Sequence, residues 1–404
     1  MPRRRSHGLT LGGVGAALLT VAGCQAAQVD NGCQITRQLV MPGTTALPLL
    51  TNVRIDRLGA GYVLFGADDT AVRWAIIDGA GTIGAEQSFP LPAGTLRPYY
   101  AAAGLQVPGD TIIIGLLTTA ANGTDAELSF VAAPADGSAA PPPGPPVTTF
   151  LGGADPGAPP LVAVGASASG MTAGAAWLDS QTGLPTYAFI DGQGQVAGSP
   201  HTIEDVLASS YACLGFSPGK EELTVTYQKG PIDPRLGPTW MIADITAAGT
   251  VNTLTLNVAQ LGGTMSCART VTYDNGGSPE YAIIWQDTSG SWLSVYYGPV
   301  SGQVKSFGFA SATDFGGPDL QPPLSGFATF GPDFGVLFAK AHSVELWRVD
   351  LGGNVKGGAF VLPSVQGDIQ GVSSVASPAL LTSTYADLTG VGTGRRVVID
   401  SVCR

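Results

Sequence analysis

The sequence predicts an all-β protein assembled from repeated four-stranded sheets, and three observations carry that expectation. Only 12% of the residues are charged, while 57 glycines and 30 prolines punctuate stretches rich in Val, Ile, Thr and aromatics. That is the composition of an ordered protein with many turns, not of a disordered tail. A short segment, an apolar run closed by an aspartate, small residues, a glycine and a β-branched residue, recurs along the chain. The strongest apolar runs are about four to five residues long and bounded by turn residues, which suits strands buried on both faces.

The recurring segment stands at Ala75-Ile76-Ile77-Asp78, Tyr187-Ala188-Phe189-Ile190-Asp191, Met241-Ile242-Ala243-Asp244, Leu346-Trp347-Arg348-Val349-Asp350 and Val397-Val398-Ile399-Asp400. Weaker copies lie near Asp136 and at Val295-Tyr296-Tyr297-Gly298, so that successive anchors are separated by about 50–58 residues. The first unit parses into strand A over 53–57, B over 62–65, C over 72–77 and D over 83–89, with turns at Gly59-Ala60-Gly61 and Asp68-Asp69. Further B strands are Thr111–Ile114, Leu223–Tyr227, Tyr281–Trp285 and Gly335–Phe338. The A strands, such as Ala101–Gly104 and Val372–Ala376, are rich in small residues and fit a crowded centre. The stretch Pro134–Pro160, with its core Pro141-Pro142-Pro143-Gly144-Pro145-Pro146, forbids a regular ladder. It falls where the second unit's D strand belongs and reads as an irregular outer edge.

This period and strand count resemble those of β-propellers, with seven four-stranded blades as the expected number and six or eight as the alternatives. No named repeat family is matched. The resemblance implies one domain over residues 33–404, whose last blade runs out of chain after Ile399-Asp400. Its missing D strand is supplied by 34–40, which resembles 83–89, and so closes the ring. Cys33 and Cys403 then fall at the missing C–D turn, where a disulfide contributes about 4–5 kcal/mol by loop entropy. Cys213 and Cys267 fall on consecutive A strands; they either pair and staple two blades or stay as buried thiols.

The chain starts with Arg3, Arg4 and Arg5, followed by an apolar run from Leu9 to Ala22. At about 14 residues that run is too short to span a bilayer. It ends in Val21-Ala22-Gly23-Cys24, which resembles the lipobox of bacterial lipoproteins. The resemblance implies a signal peptide over 1–23, lipidation of Cys24, a short tether over 24–32 and attachment to the cell envelope. Gln25 does not resemble an inner-membrane retention signal, which points to the outer membrane of a Gram-negative bacterium. Without residues 1–23, the 19 basic residues fall to 16 against 30 acidic ones, a balance of −14. That balance argues against nucleic acid and anionic lipid as partners.

The candidate chemistry is thin. Gly215-Phe216-Ser217-Pro218-Gly219 fits a nucleophile-elbow pattern but lies between two strands, where it reads as a turn. His201 and His342 share no metal-ligand spacing and read as surface residues, so neither a metal nor another cofactor is expected. Trp74, Trp177, Trp240, Trp285, Trp292 and Trp347 fall on B or C strands and read as packing between blades. Aspartates recur at the B–C connections: Asp68, Asp69, Asp125, Asp179, Asp233, Asp287 and Asp387. They serve either as turn formers or as an acidic rim on one face. Arg97, Tyr99 and Tyr100, at a D–A connection on that same face, are the best ligand-facing candidates.

Residues 24–32 reach at most about 30 Å, which holds the C–D turn face near the bilayer and leaves the D–A and B–C loops distal. The resulting expectation is a non-enzymatic, lipid-anchored module that presents those loops to a protein or a polysaccharide. The alternatives are an envelope carbohydrate-active hydrolase or lyase with carboxylates at the channel mouth, and a subunit of an outer-membrane assembly complex.

Overall fold

The computed structural model describes residues 35–40, 53–59, 61–104, 110–167, 170–205, 211–218, 223–230 and 239–256, and then the strands and short turns 269–274, 279–287, 290–296, 304–311, 325–330, 333–340, 343–350, 354–358, 360–362, 367–377, 380–389 and 395–402. Cys24, Cys33, Cys267, Cys403, Asp233 and His342 lie outside the described residues, as do the leader and the tether. The side chains of Cys213, Trp240, Trp285, Trp292, Asp287 and Asp387 do as well.

Every element among the described residues is a strand, and the strands form four-stranded antiparallel sheets, all but one of them a meander of consecutive chain segments. The first sheet runs Arg54–Leu58, Gly61–Ala67, Ala71–Ile77 and Gln87–Pro90, in A to D order. The second runs Thr95–Ala103, Thr111–Thr119, Ala126–Pro134 and Thr148–Phe150. Its D strand is only 3 residues long because the prolines before it cannot donate to a ladder. Two amides of the proline-rich stretch still reach the C strand, Gly144 to the Phe130 carbonyl and Val147 to that of Leu128, both at 2.8 Å. The third sheet has its A to C strands at Val162–Ala166, Ala173–Leu178 and Pro185–Ile190, with His201–Thr202 as D. The fourth comprises Tyr211–Pro218, Leu223–Lys229, Thr239–Ile245 and Val251–Leu256.

Two further meanders follow, starting at Arg269–Asp274 and at Ser325–Phe330. The remaining sheet joins the two ends of the chain. Gly367–Ser377, Leu380–Thr389 and Arg395–Val402 are completed by Ile35–Val40, with Ile35 opposite Val402 and Val40 opposite Val398.

Alternation along the strands makes the second and third sheets double-faced walls. Ile112 and Ile114 pack with Phe65 and Trp74 of the first sheet. Ile113, between them, points the other way and packs with Val164 and Trp177 of the third. Ala176 and Tyr187 of the third sheet then meet Leu223, Tyr227 and Met241 of the fourth. Side-chain donors stitch neighbouring sheets at equivalent places on strand C. The Trp74 indole donates to the Ala135 carbonyl at 2.9 Å, and the Tyr187 hydroxyl to the Gly249 carbonyl at 3.0 Å.

Three C–D turns among the described residues obey one design. At Asp78, Asp191 and Asp350 the carboxylate accepts the amide four residues on, from Thr82, Gln195 and Asn354. A bridge then restarts pairing one residue later, at Ile77–Ile83, Ile190–Val196 and Val349–Val355. Two anchors read from the sequence are corrected by this register. Asp244 is a buried strand residue bonded to the Thr224 hydroxyl, and the turn is built instead by Thr246, whose hydroxyl accepts the Thr250 amide at 3.1 Å. Asp400 lies within its strand, opposite Gln38 and Ser383, because the partner strand from the N-terminal side carries the ladder on to Val402. The Gly215–Pro218 segment is likewise strand rather than turn, since Ser217 and Pro218 pair with Thr224 and Leu223.

Gly194, in the third C–D turn, has φ +76 and no room for a Cβ, which would meet the Ala132 amide of the second sheet at 2.5 Å. Gly198 has φ +88 but faces open space. Both replacements by alanine incur backbone strain of about 1–3 kcal/mol. Gly194→Ala must also push two sheets apart, so it should lower the urea midpoint clearly more than Gly198→Ala does.

Candidate functional site

In each meander the start of A, the end of B, the start of C and the end of D lie at one end of the sheet. The rim aspartates belong to that end, and Asp68, Asp125 and Asp179 are engaged in hydrogen bonds there. Asp68 accepts the Thr70 amide and hydroxyl at 2.7 and 2.5 Å, the Ala71 amide at 2.8 Å and the Arg73 guanidinium at 3.1 Å. Asp179 accepts the Gln181 and Thr182 amides at 3.0 and 2.7 Å. Asp125 ties its turn to the following D–A connection by accepting the Gly152 amide at 2.8 Å. Asp69 is exposed beside them. Asp287 ends its B strand opposite Gly290, and Asp387 lies within its B strand opposite Arg396, not in the connection.

These bonds set the electrostatics of the rim. Burial by itself raises the Asp68 carboxyl, but the Thr70 hydroxyl and amide, Arg73 and the Ala71 amide outweigh it and hold the group at about 2. The Gly152 amide and Asn122 likewise pull Asp125 down. Such carboxyls stay ionised and are poor proton donors at neutral pH.

Arg97, Tyr99 and Tyr100 lie in strand A of the second sheet rather than in the connection before it. Arg97 is exposed, 5.8 Å from the centroid of the Tyr99 ring. Tyr99 is partly buried and donates its hydroxyl to the Pro160 carbonyl at 3.4 Å. The Tyr100 ring meets Phe65 of the first sheet edge-on, at 4.9 Å and 85°. Both tyrosines therefore take part in packing between sheets. Trp74 and Trp177 are buried, in keeping with a packing role, and His201 is exposed on an outer strand.

A cluster that the sequence pattern does not single out stands at the same end of the fourth sheet. Glu204 comes from the D–A connection, Tyr211 opens strand A, and Lys229 closes strand B directly opposite Tyr211. Lys229 Nζ is 2.9 Å from Glu204 Oε2, and the Tyr211 hydroxyl donates to Oε1 at 3.0 Å. The pair is half sheltered, with 22% of the lysine side chain and 11% of the glutamate exposed.

Behind it lies Tyr227, its ring 6.1 Å from that of Tyr211. Its hydroxyl is buried and has no hydrogen bond of normal geometry among the described residues. Burial, then the charge of Glu204 and the neighbouring Tyr211, push its ionisation far up, so it remains a neutral phenol. The signal in the sequence was the cross-strand placing of Tyr211 and Lys229, which needs the A–B register to be visible.

The opposite end of the sixth sheet holds a different ion cluster. Asp333 is fully buried and bonded by the Arg348 Nε and, at 2.6 Å, by Lys356 Nζ. It ties strand B to strand C and to the C–D turn. Among the described residues no group of three or more His, Cys, Asp or Glu is placed to hold a metal ion.

No family model and no curated protein matches this sequence. Solved structures do. The crystal structure of the polysaccharide lyase Uly1 superposes with a TM-score of 0.54 at 11% identity, over 87% of this chain and 90% of that one. The likeness is one of fold. The β-propeller domain of the Trilobed protease from Pyrococcus furiosus gives 0.47 at 11% identity, over 86% and 93%. A Penicillium chrysogenum α-L-arabinanase complexed with arabinobiose gives 0.48 at 10%, over 91% and 98%. The neighbours in structure thus include a β-propeller domain.

The depressed carboxyl of Asp68 has a testable consequence. A group whose folded value lies below its unfolded one stabilises the fold above the unfolded value, near 3.9. That stabilisation is lost as the pH falls through about 2. The stability difference between the native protein and Asp68→Asn, from urea unfolding, should hold steady above about pH 5 and shrink steadily below about pH 4.

Proposed function

We propose that the chain is a lipid-anchored, seven-bladed β-propeller, closed by its own N-terminal strand, that binds a polysaccharide at the D–A and B–C end without cleaving it. The closed ring is supported by the inner strands, which touch one another in chain order, the last of them, Gly367–Ser377, meeting the first, Arg54–Leu58. Pairing of Ile35–Val40 with Arg395–Val402 then takes the place of the seventh blade's D strand. Lipidation at Cys24 with a tether over 24–32, the outer-membrane location and the Cys33–Cys403 link complete this reading. On it, the C–D turns face the bilayer and the Glu204 cluster faces away.

The observation that carries the binding role is the Glu204–Tyr211–Lys229 ensemble, a partly exposed set of donors and acceptors beside an aromatic ring. Sugar recognition needs both kinds of group at one place. A dry protein interface is less well supported. The large apolar side chains most exposed among the described residues, Leu151, Met171, Val355 and Val361, are single residues at different ends and edges of the sheets. The engaged, low-lying carboxyls of Asp68 and Asp125 are unsuited to act as a general acid.

The second reading is a carbohydrate-active hydrolase or lyase, since the same fold carries a polysaccharide lyase in Uly1. Affinity electrophoresis of the full-length lipoprotein in detergent, through gels containing neutral or anionic polysaccharides, separates the two. The binding role predicts retardation with no new reducing ends and no unsaturated products. Product formation establishes the second reading, and unretarded migration in every gel overturns both.

A further inference from the structure

The geometry points to a neutral saccharide as the ligand, gripped through two adjacent ring hydroxyls by Glu204 and Lys229 and stacked beside Tyr211. This inference rests on the polysaccharide-binding reading and narrows it. A carboxylate offers about four lone-pair sites and an ammonium three protons. The contact between Lys229 and Glu204 and the bond from Tyr211 occupy only part of that capacity. A sugar hydroxyl both donates and accepts, so one hydroxyl can accept a hydrogen bond from Nζ and donate one to a Glu204 oxygen. Adjacent ring hydroxyls are spaced much as a hydrogen-bonded donor and acceptor are, which matches the 2.9 Å separation of Nζ and Oε2.

Charge selects against acidic polysaccharides. The positive charge of Lys229 is cancelled by Glu204, so the pair offers a carboxylate or sulfate no net attraction. The chain as a whole carries −11, which repels a polyanion at longer range. Tyr227 closes the inner side of the cluster. Its wholly buried hydroxyl lies against Glu204 and Tyr211 without a normal hydrogen bond of its own. A buried phenol behind the ion pair keeps water from its inner side and holds Tyr211 at a fixed tilt, 49° to its own ring. Hydrogen bonds offered from such a sheltered, preordered site are stronger than from a solvated one. Tyr211, partly buried against the core between the third and fourth sheets, sets its ring beside the pair for the C–H face of a sugar.

The test uses the full-length lipoprotein in detergent with dextran, pullulan and galactomannan, which all carry adjacent free ring hydroxyls, as neutral probes and alginate and chondroitin sulfate as anionic ones. A further probe is made from each retained neutral polymer by periodate cleavage of its adjacent hydroxyls and borohydride reduction. At least one neutral polymer should bind, and its cleaved and reduced form should not. Glu204→Gln combined with Lys229→Gln, which avoids leaving a lone charge, should weaken that binding about tenfold or more. Tyr211→Phe keeps the ring and should weaken it less, and a thermal melt of each variant checks that the fold persists.

Unchanged affinity in the folded double variant overturns the assignment of the site. If the double variant does not fold, the cleaved probe and Tyr211→Phe decide instead: full binding of both overturns the assignment. Binding of the anionic polymers alone refutes the neutral-sugar inference while leaving the polysaccharide reading in place. Failure of every polymer removes both.

Discussion

Everything in this molecule depends on sheets that are apolar on both faces. Ile112 and Ile114 need a neighbour on one side and Ile113 needs one on the other. Each such side chain gains about 1.5–3 kcal/mol from burial. Leaving four or five of them exposed on one face would forfeit about 6–15 kcal/mol, comparable with the whole stability of a domain. A linear stack of such sheets always has two bare ends. Ile35–Val40 completes the sheet begun by the last three strands of the chain, and in the proposed ring no sheet is left with a bare face.

The same constraint decides where chemistry can occur. Strand interiors are committed to packing, down to the indole of Trp74 and the hydroxyl of Tyr187, which donate to the adjacent sheet. Only the ends of the sheets remain, and most carboxylates there are engaged as turn formers. The Glu204 cluster is different because its members come from three separate segments, a D–A connection and the ends of two strands. It holds the connection to the sheet and still leaves part of its polar surface open. On the proposed orientation, it is also carried on the side away from the lipid anchor.

Much of the fold was legible because its causes are local. The B strands announce themselves as apolar runs, and Leu223–Lys229 extends the expected Leu223–Tyr227 by only the polar pair at its end. The likeness of 34–40 to a D strand was readable from one intact repeat, and the strand found is Ile35–Val40. Errors arose where chemistry could substitute. Thr246 performs the turn role of Asp78 with a hydroxyl, so the aspartate pattern points to Asp244, two residues early. Tyr99 and Tyr100 read as loop residues because the strand they belong to starts at Thr95, with a register shift at Arg97. The candidate site was the least legible part. Glu204 and Lys229 are 25 residues apart, and only the pairing of Tyr211 with Lys229 brings them together.

The central claim is that the two termini share one sheet and so close the ring. Hydrogen exchange of the full-length lipoprotein, followed by mass spectrometry of peptides covering 35–40 and 395–402, tests it most directly. The account predicts that both segments exchange as slowly as the paired strands Thr111–Thr119 and Ala126–Pro134, and open together with them in denaturant. Rapid exchange of 35–40 while those strands remain protected would contradict it.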